Sequence, residues 1–228
     1  VVPNVLHRSG SSMFLAVYDT SMQLISATAM DDIYSAGFII RGIKSETNAA
    51  GSDFYLYGSL NGTVDFDFNV GTNTAISIQE DLLIAKYTEG ISLVWAENFG
   101  TEADENLKSI SITDQNDVLI AASLSTGIFS GLDTFSFGSN TYYLPPFTPH
   151  SLVLRVNSSG ILQDSWMAGG RSIANGIVKK DSLHFVAGFY TDAIDFDMDA
   201  INDLSTFAGD ENGYLIRLDS LLNYEMSF

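Results

Sequence analysis

The chain contains no cysteine. A disulfide framework, a thiolate metal site and a cysteine nucleophile are therefore excluded, although many bacterial surface β-proteins also lack disulfides and the absence assigns no compartment. Basic residues are scarce, with Lys+Arg 10 against Asp+Glu 28 and a formal net charge of −18. A surface that negative repels phosphate backbones and anionic headgroups, so nucleic acid and membrane surfaces are poor partners, and cations or basic protein patches are better ones. No apolar run approaches the roughly 18 residues of a bilayer-spanning helix. The amino terminus lacks the basic-then-apolar form of a signal peptide, and Val1 is expected to be a processed end or a cut inside a longer chain. Histidine is rare as well: His7, His150 and His184 stand at no metal-ligand spacing. His184, between Leu183 and Phe185, reads as a half-exposed strand residue. No G-x-S-x-G elbow is present; around Ser172 the run Gly170–Ala174 lacks the strand-to-helix context a nucleophile needs. Gly169-Gly170 has no further glycine or lysine at phosphate-loop spacing and most simply turns the chain.

What the chain has is strand-forming sequence. Fifteen Phe and ten Tyr accompany 19 Gly, and 46% of residues are hydrophobic, enough for a core. The clearest unit is DLLIAKYTEGISLVWAENFG (Asp81–Gly100), two short apolar strands joined at Thr88-Glu89-Gly90, where Gly90 is expected to supply a positive φ. The pattern returns at Met13–Ala29, Leu152–Ala168 and Tyr214–Phe228, with Val17, Lys86, Arg155 and Arg217 in the same place of the first strand and Trp95 and Trp166 recurring in the second. A period of roughly 60–70 residues built only from strands predicts a radial or stacked β-array.

In chain order, a lead-in with one strand near Val1–Leu6 precedes repeats over about 12–79, 80–150, 151–209 and an incomplete 210–228, all in one domain. Beyond its hairpin, each repeat holds further strand-like runs, such as Gly37–Ile43, Phe54–Leu60 and Thr74–Ile78, or Val118–Ser123 and Ile128–Phe137. Asp114–Asp117 reads as a polar turn. The expected fold is all-β: a β-propeller-like array of four-stranded antiparallel blades, about three and a half in this chain. An open array exposes unpaired strand edges, so the expectation is that a larger chain or another protein completes the ring.

The run Ala85–Glu105, AKY…W…FG…ADE, followed by SISITDQNDVLIAAS, resembles the bacterial β-propeller repeat of the SBBP type. Thr63–Asp67 (TVDFD) and Ala193–Asp197 (AIDFD) resemble the V-D-F-D-P-G ending of its Bacteroidota versions. The likeness runs from Met13 onward. Departures are Val17 where Lys or Arg is usual, Ser26 or Ala27 in place of Trp, Asp133-Thr134-Phe135 in place of DFD, and no proline after DFD. The resemblance implies a propeller in a secreted or surface-attached protein, with no shared catalytic residues.

Two groups of residues stand out as candidate sites. If DFD is a strand, Asp65/Asp67 and Asp195/Asp197 place paired carboxylates on one face and Phe66 and Phe196 on the other. Asp195, Asp197 and Asp199 also have the oxygen spacing of a calcium loop, although Ala200 stands where such loops carry Gly and Thr206 where they carry Glu. The alternative is that Asp65, Asp67, Asp195, Asp197 and Asp199 are solvated carboxylates that discourage edge pairing. A glycosidase pair is a further use of two carboxylates, with nothing to single out an acid and a base. The second group is the insertion Asn140–His150, which holds Pro145, Pro146 and Pro149 and reads as an ordered loop. Its Tyr142, Tyr143 and Phe147 offer faces for a sugar ring or a protein, or cover a blade edge. Lys86, Arg155 and Arg217 are expected to pair with acidic neighbours on adjacent strands or to lay their stems over apolar surface, and both tryptophans to pack between blades. The function expected is a non-enzymatic extracellular or cell-surface module for protein interaction, adhesion or scaffolding. The alternative is a carbohydrate-binding module or glycan-active hydrolase using the aromatic loop and the carboxylates.

Overall fold

The computed structural model describes residues 13–30, 37–48, 51–68, 72–77, 79–101, 103–125, 133–137, 140–144, 149–191, 193–197, 203–205 and 210–228. The described residues form strands and connections, with no helix among them. A hairpin of β1 (Met13–Tyr18) and β2 (Leu24–Met30) comes first. There follow β3 (Gly37–Asn48), β4 (Gly51–Asn61), the short β5 (Thr63–Asp65) and β6 (Thr74–Ile76), then β7 (Asp81–Thr88) and β8 (Leu93–Phe99). The same six-strand order recurs as β9 (Asn106–Ile112), β10 (Val118–Leu124), β11 (Asp133–Phe137), β12 (Asn140–Leu144), β13 (His150–Val156) and β14 (Leu162–Met167). It recurs again as β15 (Ser172–Lys180), β16 (Leu183–Thr191), β17 (Ala193–Ile194), β18 (Leu204–Ser205), β19 (Glu211–Leu218) and β20 (Tyr224–Ser227).

Three four-stranded antiparallel sheets result, ordered β3-β4-β7-β8, β9-β10-β13-β14 and β15-β16-β19-β20; the small hairpins β5–β6, β11–β12 and β17–β18 each sit between second and third strands. The antiparallel four-stranded sheets agree with the sequence reading, but their phase does not. The expected boundaries at 79, 150 and 210 all fall inside a sheet, because each sheet takes two strands from one sequence repeat and the opening hairpin of the next. The apolar hairpin is the most regular part of the repeat, and its own turn fixes only its internal pairing. What pairs with its free edge is set by the strand before it.

Register makes the repeats equivalent position by position. The pairing shifts between Val17/Tyr18, Lys86/Tyr87, Arg155/Val156 and Arg217/Leu218, so the four aligned residues all stand immediately before a β-bulge. The turns that follow are also alike. Asp19, Thr88, Asn157 and Asp219 begin them, and a side-chain oxygen of each accepts the amide of Gln23, Ser92, Ile161 or Asn223 four residues on. The left-handed residue is Met22 (φ 61°), Ile91 (φ 61°), Gly160 (φ 83°) and Leu222 (φ 63°). The expectation for Gly90 is thus corrected: the positive φ falls one residue later, on Ile91, where backbone bonds Ile91 N to Thr88 O and Thr88 N to Ser92 O hold a side chain in a region it rarely visits.

The sheets pack face on face in chain order. β9 lies against β3, β4 and β7, and β15 lies against β9, β10 and β13. One apolar cluster joins Tyr55, Leu82 and Ile84 of the first sheet to Ile110, Ile120 and Leu154 of the second. Another joins Leu119, Val153 and Trp166 of the second to Val186, Tyr214 and Ile216 of the third. Leu15 and Val17 of β1 pack on the remaining face of the first sheet, beside Leu56 and Tyr87. The second sheet is covered on both faces, which is why β10, VLIAASL, is buried along its whole length rather than alternating.

The insertion is also corrected. Asn140–Leu144 is not a loop but strand β12, with Tyr142 opposite Phe135 and Tyr143 opposite Thr134. The prolines follow the strand instead of interrupting it: Pro145 and Pro146 lie outside the described residues, as do Phe147 and the expected strand at Val1–Leu6.

Candidate functional site

The DFD segments stand at the end of the first strand of a small hairpin. β5 ends at Asp65, and Asp195 makes only an isolated bridge to Gly169. The ladder thins out here but the alternation of burial goes on: Val64 and Phe66 are buried with Asp65 and Asp67 partly exposed, and Ile194 and Phe196 are buried with Asp195 partly exposed and Asp197 exposed. Each Phe carbonyl accepts a bond from a buried aromatic side chain: Tyr87 Oη to Phe66 O at 3.0 Å, and Trp166 Nε1 to Phe196 O at 2.8 Å. Phe196 packs on Tyr214, Tyr224 and Trp166, with ring centroids 5.2, 5.6 and 6.3 Å away. Burial pushes the Tyr87 and Tyr214 hydroxyls far above the usual tyrosine range.

Carboxylates close both loops. Asp65 Oδ1 accepts the amides of Asp67 (3.0 Å) and Asn73 (2.8 Å). In the other copy Asp203 does this work: Oδ2 accepts the Phe196 amide at 2.6 Å and Oδ1 the Tyr224 hydroxyl at 3.2 Å. The two loops are closed differently: the Phe66 amide bonds to the backbone carbonyl of Asn73, whereas the Phe196 amide bonds to the side chain of Asp203, which by register corresponds to Thr74. Gly169 ties down the start of the second loop, its amide 2.7 Å from Asp195 O and its carbonyl accepting the Asp195 amide at 3.1 Å. Gly170, with φ 96°, turns the chain here as expected.

Carboxylate oxygens of Asp195, Asp197 and Asp203 lie within 4.8 Å of one another. One oxygen from each could face a shared cation, short of the six to eight oxygens that calcium takes. Asp203 replaces Asp199 in this grouping; Asp199 lies outside the described residues. Among the described residues, Asp65 and Asp67 form no such group of three. The calcium-loop spacing missed Asp203 because it counts along the chain, whereas the β17–β18 hairpin folds the chain back.

A second polar site lies between the second and third sheets. A cleft of about 210 Å³ is lined by Asp114, Asp117, Arg155, Lys179 and His184, among others. Arg155 pairs with Asp164, and Lys179 with Asp114. His184 is not half-exposed as the sequence suggested but buried, because the strand face it occupies is covered by the second sheet. Burial lowers its pKa, as do the Arg155 and Lys179 cations, while Asp219 acts the other way. Burial also raises the Asp117 carboxyl. Asp114–Asp117 carried only a turn signal in sequence, and nothing placed it beside Arg155.

Arg155 and Arg217 pair on an adjacent strand as expected, whereas Lys86 has Asp53 on the adjacent β4 but lies closer to Glu46, two strands away on β3. Lys86 Nζ is 2.6 Å from Glu46 and 3.4 Å from Asp53, and Arg217 Nε is 2.6 Å from Glu225. Both tryptophans reach the following sheet, Trp166 as above and Trp95 through Nε1 to Ser158 O at 3.0 Å. The Trp95 ring lies so close to Gly160 that a Cβ there would sit 3.0 Å from it. Of the aromatic candidates, Tyr142 and Tyr143 are neighbours on β12. No family model matches the chain, and no curated protein matches it.

Proposed function

We propose that the chain is a non-enzymatic β-propeller module, of the kind its SBBP-type resemblance implies, which works outside the cell or at its surface by presenting rigid faces to another protein. The observation carrying this reading is the serial packing of like sheets, each burying one apolar face on its predecessor and offering the other to its successor. Such a scaffold stacks radially or linearly and holds its loops and outer strands rigid for binding. The aspartates support a structural role: Asp65 Oδ1 accepts two amides of its own loop, and Asp203 accepts the Phe196 amide and the Tyr224 hydroxyl. The test is small-angle scattering, where a propeller gives a disc-like particle and a linear stack an elongated one. A glycan array with a reducing-sugar release assay runs beside it. No release is the expected result; sugar release that is lost with Asp195→Asn or Asp197→Asn would replace this reading with a glycan-active hydrolase.

A further inference from the structure

Register shows what each sheet face is for. On the forward face of the first sheet, Lys86 stands between Tyr55 and Trp95, and Ile84 between Tyr57 and Glu97. The second sheet has Arg155 between Leu119 and Asp164, and Val153 between Ala121 and Trp166. In the third, Arg217 stands between Phe185 and Met226, while Leu215 faces Ala187 and exchanges backbone bonds with Phe228. Ile84, Val153 and Leu215 are thus one position, and Trp166 and Phe228 another. Ile84, Val153 and Trp166 are buried against the next sheet. Leu215 remains 40% exposed and Phe228 64%, and Val178, on β15 in the Arg217 row of the same sheet, 57%.

The inter-sheet bond follows the same register. From the Lys86/Trp95 pair, Trp95 donates to Ser158 O; from the Arg155/Asp164 pair, Arg155 Nη1 donates to Ser220 O at 2.8 Å. Ser158 and Ser220 are the same residue of the same turn in the following sheet. Arg217, in the matching pair of the third sheet, holds Glu225.

The complementary face is on β1–β2. Phe14 occupies the place of Leu152 and Tyr214, and Tyr18 that of Val156 and Leu218, all four of them buried against the preceding sheet. Phe14 is 69% exposed and Tyr18 52%. The β1–β2 turn has the same bonds as the others, Asp19 N to Gln23 O and Met22 N to Asp19 O, and puts Thr20 where Ser158 and Ser220 stand.

We infer that the forward face of the third sheet docks the β1–β2 hairpin of a second copy of this chain, head to tail. Leu215 and Phe228 cover Phe14 and Tyr18, and Arg217 donates to the Thr20 carbonyl. The inference rests on the repeat packing proposed above and names its partner surface. Because the two faces differ, the contact is heterologous and builds rings or filaments rather than closed face-to-face dimers. Each copy carries a net charge of −18, so salt, which screens the repulsion between copies, strengthens association.

Sedimentation of the 228-residue chain tests this with two variants at exposed positions, Phe14→Asp and Phe228→Asp. Wild type is expected to form oligomers that grow with concentration and with salt, and each variant alone to be a monomer. An equimolar mixture should stop at a dimer, because only the intact hairpin of one and the intact third sheet of the other can meet. Wild type that stays monomeric at high protein and salt overturns the inference. So does either variant self-associating alone, which would mean like faces pairing, or a mixture that remains monomeric. Circular dichroism on the same samples separates the failures: folded monomers with strong β signal remove only the head-to-tail contact, whereas loss of that signal in the wild type removes the packed-sheet reading beneath it.

Discussion

Removing the Lys86 ammonium should be among the most damaging single changes in this fold. The side chain is 5% exposed and its partner Glu46 only 2%. Both Glu46 oxygens are used, Oε1 by Lys86 at 2.6 Å and Oε2 by the Tyr55 hydroxyl at 3.0 Å. The ammonium also sits 5.2 Å from the Tyr55 ring centre. Lys86→Met keeps the stem's volume but leaves a carboxylate buried without its counter-charge. Breaking one side of such a pair costs about 3–5 kcal/mol, mostly as the penalty of the charge left behind. With a urea slope of about 2 kcal/mol/M the midpoint falls by roughly 1.5–2.5 M. Adding Glu46→Gln removes the stranded charge while keeping an acceptor for Tyr55, so the double variant should regain most of the loss. Equilibrium urea unfolding followed by tryptophan fluorescence reads both, since Trp95 lies opposite Lys86 in the register. A single-variant loss below about 1 kcal/mol, the range of exposed pairs, would refute the reasoning. A double variant no better than the single would refute it equally.

Three further outcomes are expected. His184, whose pKa burial and the Arg155 and Lys179 cations lower against the pull of Asp219, with Asp114, Asp117 and Asp181 lining the same cleft, binds a proton more weakly folded than unfolded. Stability should therefore be lost as pH falls from about 6.5 through the folded pKa, and His184→Gln should flatten that slope in urea midpoints between pH 7.5 and 5; an unchanged slope assigns it to other groups. Tyr55, Tyr87 and Tyr214 are all raised, chiefly by burial, so only the unfolded chain ionises them near pH 10 and stability falls above about that pH; tyrosinate absorbance that titrates fully before unfolding would contradict this. With the carboxylates acting as loop caps, millimolar calcium and magnesium should shift the melting temperature equally; a larger calcium shift abolished by Asp197→Asn would make the Asp195, Asp197 and Asp203 group a calcium site.

The all-β class was legible because strands announce themselves locally, through alternation, bulky apolar residues and turn chemistry. The pairing of Arg155 with Asp164 and of Arg217 with Glu225 was legible for a similar reason, since cross-strand neighbours follow once a hairpin is recognised; Lys86 instead reaches past β4 to Glu46 on β3. Everything that depended on the third dimension was less so. His184 alternates in sequence like a half-exposed residue and is buried only because a second sheet covers its face. Asp203 lies eight residues beyond Asp195 by number, yet the hairpin returns it to the same oxygen cluster. The phase of the sheets was hidden because the strongest pattern, the apolar hairpin, ends one sheet rather than beginning the next.

The two tryptophans show how residue identity can mislead where position does not. Trp95 and Trp166 look like the same residue of successive repeats, but Trp95 lies opposite Lys86 and Trp166 opposite Val153, a different rung of the ladder. The residue that truly matches Trp95 is Asp164, and the function of Trp95 has passed across the strand to Arg155. One repeat bonds the next turn with an indole N–H and the other with a guanidinium, and the shared feature is a donor above the bulge aimed at one carbonyl. In a stack of this kind selection acts on the contact between sheets, so any donor of sufficient reach can serve. It follows that Arg155→Lys, which keeps charge and part of the reach, should loosen the second sheet from the third less than Arg155→Met. Hydrogen exchange of the amides in β15 and β16 would register the difference, and equal protection in the two variants would remove the bond from the account of how these sheets hold together.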